Sequence, residues 1–122
     1  MTRLLFVDDD VITLQLMSKI ASILGFQAII CSSAREGLLV AAKEKPSLIF
    51  VDMQMNEMDG TEFIREARCR PEISQLPMLI CSAGTDGQDE EKARQAGASG
   101  YLSKPLSMNK LQKVIESFSK VL

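Results

Sequence analysis

The chain has 122 residues, 46% of them hydrophobic, with 14 basic and 16 acidic residues, no histidine and a formal charge of -2. That length and apolar content fit a single domain over residues 1–122 with a core large enough to need no staple. A balance this even supplies no basic field to draw in nucleic acid or anionic lipid, so neither is expected as a partner.

The first apolar run, Leu4 to Val7, reads as a buried strand and ends in three consecutive acids, Asp8, Asp9 and Asp10. Leu14, Met17, Ala21 and Leu24 then recur at helical spacing, with Gly25 as a C-terminal stop. Ala28 to Cys31 is a second strand. Ser33 to Glu36 has the S-x-x-E form of a capping box, opening a helix that runs toward Lys45 and is cut by Pro46. Leu48 to Val51 is a third strand, and Thr61 to Cys69 a third helix with Pro71 just beyond it. Met78 to Cys81 is a fourth strand. The segment from Asp86 to Ala96, with Gly97 after it, is a helix with little apolar stripe and is expected to be weakly anchored. Gly100 to Leu102 is a weaker fifth strand. The last helix, Ser107 to Lys120, carries Leu111, Val114, Ile115 and Phe118 at i, i+3, i+4 and i+7 and should pack firmly.

Five strands alternating with five helices predict an α/β fold of three layers, a single flavodoxin-like (βα)5 domain. Its parallel five-stranded sheet takes the order 2-1-3-4-5 by default, which puts function at the carboxyl ends of the strands. The three cysteines, Cys31, Cys69 and Cys81, are odd in number and form no CxxC pair, and two of them sit in apolar strand-like runs, so reduced core thiols rather than disulfides or metal ligands are expected. No apolar run approaches the roughly 18 residues of a membrane span. The apolar stretch after Arg3 stops at Asp8, too early for a signal peptide, and a cytoplasmic location is expected.

Just past the strands come Asp8 and Asp9, then Asp52, Ser82 and Lys104. Two unit charges about 4 Å apart repel by roughly 1 kcal/mol in water and by about 4 kcal/mol at the effective dielectric of a protein edge. Such a cluster either splays into solvent or takes a cation. Carboxylates on one rim suit Mg²⁺, a hard ion that binds one or two carboxylates together with phosphate oxygens, and Lys104 adds a point charge. Each residue also has a plainer reading. Asp9 or Asp10 could cap the first helix, Asp59-Gly60 is first a turn signal, Ser82 could be an ordinary helix-start hydroxyl, and a lone lysine is usually solvated. One cap does not require two neighbouring acids, and the joint placement favours a site.

These residues resemble the receiver domains of bacterial two-component response regulators. The resemblance rests on "VDDD", "FVDMQMNEMDG", "ICSAG" and "GASGYLSKP", which span nearly the whole chain in the family's order. It implies that Asp52 is the phosphoacceptor, Asp9 a direct Mg²⁺ ligand, Asp8 a ligand through water and Gln54 a ligand through its backbone carbonyl. It also implies that Ser82 and Lys104 hold the phosphoryl oxygens beside a small Ala83, that the Lys104-Pro105 bond is cis, and that Tyr101 is the aromatic switch. Asn56 departs from the family's usual proline, which should loosen the loop after the acceptor.

The implied partners are a sensor histidine kinase or phosphotransfer protein as donor and a downstream effector, with the chain a monomer or a phosphorylation-dependent dimer. The expected function is therefore a phosphorylation-activated switch of a phosphorelay rather than an enzyme. Two alternatives stand beside it. A phosphohydrolase of the haloacid dehalogenase type would want a second acid where Gln54 stands, and a cap this chain lacks. A pseudo-receiver, binding partners without phosphorylation, is favoured only by Asn56.

Overall fold

The computed structural model describes residues 2–84 and 87–118. Ten elements alternate: β1 (Arg3–Val7), α1 (Val11–Ile23), β2 (Gln27–Cys31), α2 (Ala34–Glu44), β3 (Leu48–Asp52), α3 (Gly60–Arg68), β4 (Met78–Ser82), α4 (Gln88–Ala96), β5 (Gly100–Ser103) and α5 (Met108–Ser117). The strands form one parallel sheet in the order β2-β1-β3-β4-β5, as the sequence predicts. Its central strands read as continuous apolar runs because helices cover both faces. Every residue of β3 and β4 is buried.

Side chains alternate across the sheet, and the core divides accordingly. On one face Leu4, Phe6, Leu48, Phe50, Leu79 and Cys81 meet Leu14, Met17 and Ala21 of α1 and Leu111 and Ile115 of α5. Phe6 and Phe50 stack there with ring centroids 5.0 Å apart. On the other, Leu5, Val7, Ile49, Val51, Met78 and Ile80 meet Leu38 of α2, Phe63 and Ile64 of α3, and Ala93 and Ala96 of α4.

The helices differ in how firmly this holds them. In α4 the buried residues are two alanines, Ala93 and Ala96. At about 0.8 kcal/mol per buried methyl-sized group, that contributes on the order of 2 kcal/mol. Full burial of Phe63 or Ile64 in α3 contributes about 1.5–3 kcal/mol each. The last helix buries Leu111 and Ile115, with Val114 and Phe118 packed partly against the same core.

Helix ends refine the sequence reading. Asp59, expected as a turn residue, is the N-cap of α3. Its carboxylate accepts from the Glu62 N–H at 2.9 Å while the Glu62 side chain accepts from the Asp59 N–H at 3.1 Å, a complete capping box that starts the helix at Gly60. Ser33 caps α2 by accepting from the Glu36 N–H at 3.1 Å. The Glu36 carboxylate lies against the Cys31 thiol, which burial and that carboxylate push up to about 12. The fourth helix starts at Gln88 after Gly87, and its expected start at Asp86 lies outside the described residues, as does the expected end of the last helix at Lys120. All three cysteines are free thiols: Cys31 and Cys81, in β2 and β4, are buried, and Cys69 is exposed at the end of α3.

Candidate functional site

The opening acids are sorted by the backbone. The Asp8 N–H still pairs with the Cys31 carbonyl at 3.1 Å, extending the β1 ladder by one residue and leaving the carboxylate buried at the strand end. Asp10 takes the capping role: its carboxylate accepts from the Ile12 N–H at 3.1 Å and from the Thr13 hydroxyl at 2.7 Å. These bonds, the Thr13 hydroxyl foremost, hold its pKa below the usual aspartate value. Asp8 and Asp9 are left for the rim.

Asp52 ends β3 with 8% of its surface exposed. The loop from β5 brings Lys104 across, its backbone N–H donating to the Ser82 carbonyl at 2.7 Å and its peptide bond to Pro105 cis. The ammonium then lies 2.8 Å from Asp52 Oδ1 and 3.2 Å from Asp8 Oδ2. Carboxylate oxygens of Asp8, Asp9 and Asp52 all lie within 4.8 Å of one another. Burial raises the Asp52 pKa above its ordinary value, the Asp8 and Asp9 charges add to that, and Lys104 opposes it. Lys104 shows the counterpart: burial lowers its pKa, but the contacts with Asp52 and Asp8 outweigh this and raise it.

The α3 N-terminus closes in behind the end of β3. At Gly60 a Cβ would lie 2.8 Å from the Asp52 carbonyl oxygen, so a side chain there would force the two segments apart. The Gly60 N–H instead donates to the Met53 carbonyl at 2.9 Å.

Asp8, Asp9, Asp52 and Lys104 are thus brought into one cluster. Ser82 ends the neighbouring strand, buried, but its hydroxyl donates to Asp89 at the start of α4 rather than to any rim residue. Gln54 stands exposed in the loop after β3, near the exposed Asn56. Tyr101 pairs with Ile80 across β4 and β5, and its half-buried side chain packs on the core face covered by α3 and α4. Asp89 escaped the sequence reading because it sits in a run of charged residues, and its bond to Ser82 joins the end of β4 to the start of α4.

The donor set fits a hard divalent cation: carboxylate oxygens from separate strand ends, close enough to converge, with no soft ligand among them. The strand order and this carboxylate–lysine rim define a flavodoxin-like α/β protein with its polar centre at the carboxyl ends of the sheet. The model of the response regulator receiver domain matches residues 4–116, and the chain belongs to that family, the receiver domains of two-component systems.

Among its relatives, the KDP operon transcriptional regulatory protein KdpE of Escherichia coli is 35% identical over 92% of this chain, which spans about half (48%) of KdpE. The polar-differentiation response regulator DivK of Brucella ovis is 29% identical over 93% of both chains. The chemotaxis protein CheY4 of Vibrio cholerae superposes with a TM-score of 0.89 at 28% identity, covering 100% of this chain and 99% of that one. A CheY-like receiver domain protein from Methanospirillum hungatei gives a TM-score of 0.86 at 27% identity, covering 99% and 96%. Among the described residues no helix is long and apolar enough to cross a membrane.

Proposed function

We propose that the chain is a phosphorylation-activated switch of a two-component phosphorelay, with Asp52 as phosphoacceptor. The observation that carries this reading is the Lys104 ammonium shared between Asp52 and Asp8 at a buried strand end. The chain has no histidine, so the phosphoryl group arrives from a phosphohistidine on a sensor kinase or phosphotransfer protein. An Asp52 carboxylate oxygen attacks phosphorus. The P–N bond breaks, the electron pair leaves with the partner's imidazole, and an acyl phosphate forms on Asp52.

Lys104 stays beside the developing charge and passes from the carboxylates to the phosphoryl oxygens, while the Ser82 hydroxyl donates to another of them. When bound by Asp9, Asp52, the Gln54 carbonyl and, through water, Asp8, Mg²⁺ would neutralise charge on those same oxygens. Water later cleaves the acyl phosphate to free carboxylate and inorganic phosphate, resetting the switch. The protein therefore assists its own phosphorylation and dephosphorylation and acts on no separate substrate.

A donor must cover the rim to reach Asp52. Val11, Ile12 and Leu16 of α1 are exposed apolar side chains on the helix that starts there, and they offer the donor an apolar footing. The effector would read α4, β5 and α5, where anchoring is uneven and Tyr101 lies. The protein works as a monomer or as a dimer formed on phosphorylation.

Intact mass after incubation with acetyl phosphate tests the reading. One phosphoryl group should be gained in Mg²⁺, and none in chelator or in Asp52→Asn. Uptake by Asp52→Asn at the wild-type rate would refute the acceptor assignment. A wild-type chain that gains no mass from acetyl phosphate or from a phosphorylated kinase would refute the switch.

A further inference from the structure

A serine hydroxyl carries one proton, and in this chain that of Ser82 is already committed. Its Oγ donates to Asp89 Oδ2 in the first turn of α4 and accepts from the Gly84 N–H at 3.0 Å. We propose that Asp89 is a positioning residue that holds the Ser82 proton in the unphosphorylated chain and yields it to the phosphoryl group, releasing the start of α4 as Ser82 engages. The proposal rests on the reading of Asp52 as phosphoacceptor.

Three features of the surroundings carry it. Ser82 is only 2% exposed, so water is a poor substitute partner for its hydroxyl. Gly84 leaves the room the carboxylate needs: a Cβ there would lie 2.5 Å from Asp89 Oδ2 and 3.3 Å from Ser82 Oγ. The N-cap of α4 is Gly87, which supplies no side-chain cap, and the helix's buried residues, Ala93 and Ala96, lie in its second half. A hydroxyl–carboxylate bond is charge-assisted and stronger than a neutral one. A phosphoryl group with charge near about -2 and several acceptor oxygens is a stronger competitor for the same proton. The exchange of one hydrogen bond for another thus couples Ser82 to α4 without requiring a wider rearrangement of the core.

The test uses beryllofluoride as phosphoryl mimic, titrated calorimetrically in Mg²⁺ into wild type, Asp89→Ala, Ser82→Ala and the double variant. Losing the Asp89 bond should tighten binding about tenfold, since the mimic no longer has to break it. In the Ser82→Ala background the same change should do nothing. Gly84→Ala, whose methyl would displace the Asp89 carboxylate, should reproduce the gain, and Asp89→Asn should fall between, because its amide oxygen still accepts. Hydrogen exchange in chelator without mimic should be about tenfold faster over residues 88–96 in Asp89→Ala than in wild type. Equal affinity of wild type and Asp89→Ala would overturn the proposal. So would an equal gain in the Ser82→Ala background, which would mark a bulk charge effect. Failure of wild type to bind the mimic would instead sink the acceptor reading on which the proposal stands.

Discussion

Replacing Lys104 by alanine removes the cation that pairs both Asp52 and Asp8. At 2.8 and 3.2 Å, each contact corresponds to about 5–6 kcal/mol of attraction at an effective dielectric near 20. Desolvation of the three groups offsets most of it, and truncating one partner of a fully buried pair costs about 3–5 kcal/mol. Here 24% of the Lys104 side-chain surface remains in solvent, against 10% for Asp52 and 8% for Asp8, so screening reduces the expected loss to about 2–3 kcal/mol. With a urea dependence of about 1–3 kcal/mol per molar for a small domain, the unfolding midpoint in chelator at pH 7 should fall by about 0.7–3 M. The loss should also depend on pH in a definite direction. Asp52 already has a folded pKa above its ordinary 3.8, and without Lys104 that value rises further. The folded chain then holds the proton more tightly than the unfolded one, so stability falls as pH rises from 3.8 through the folded value. The variant should approach wild type in acid and diverge from it toward neutral pH. Coincident midpoints at pH 7, or a gap that stays constant across this range, would refute the charge-balancing role of Lys104.

Asp52→Asn should lose phosphoryl uptake and melt higher than wild type in chelator at pH 7, because the native carboxylate is held in a site that favours its protonated form; a lower melting temperature would show that its pairing with Lys104 outweighs burial. Asp9→Asn relieves one like charge among oxygens within 4.8 Å, so it should raise the metal-free melting temperature and weaken Mg²⁺ binding measured by calorimetry. A variant that melts lower in chelator would mark Asp9 as a structural residue. Asp59→Ala removes the α3 capping box and should cost about 1 kcal/mol in urea unfolding while mass spectrometry still shows normal phosphoryl uptake. Burial raises the Asp59 pKa but hydrogen bonds from Thr61 and Glu62 outweigh it and lower the value, so its stabilisation is present above 3.8 and fades as pH falls through the lower folded value. Loss of uptake in Asp59→Ala would place this acid in the site.

The strands were readable because both faces of the central ones are buried. Leu48–Val51 and Met78–Cys81 are unbroken apolar runs, and their polar successors, Asp52 and Ser82, mark where the sheet meets the rim. Once the order β2-β1-β3-β4-β5 follows from right-handed crossovers, the residues after alternate strands converge, which is why Asp8, Asp52 and Lys104 could be grouped from sequence. Hydrogen-bond partners were less legible. Asp59 read as a turn because Asp-Gly favours both a turn and a cap, and only the return bond from Glu62 separates the two. Asp89 gave no sign, since a carboxylate among Glu90, Glu91 and Lys92 looks like a solvated face, and its bond to Ser82 joins a strand end to a helix start.

The three acids after β1 show how site and scaffold share residues. Asp8 accepts the Asp10 N–H at 2.9 Å through Oδ1 and the Lys104 ammonium at 3.2 Å through Oδ2. Asp10, held by that bond, turns its own carboxylate onto the Ile12 N–H and opens α1. A shift of Lys104 toward a phosphoryl group would therefore leave Asp8 still pinned by the backbone of Asp10, and the start of α1 undisturbed. On the other side of the rim, the Ser82 proton cannot serve Asp89 and a phosphoryl oxygen together. On the proposed reading, phosphorylation of Asp52 would thus be transmitted toward α4 while the start of α1 keeps its ties.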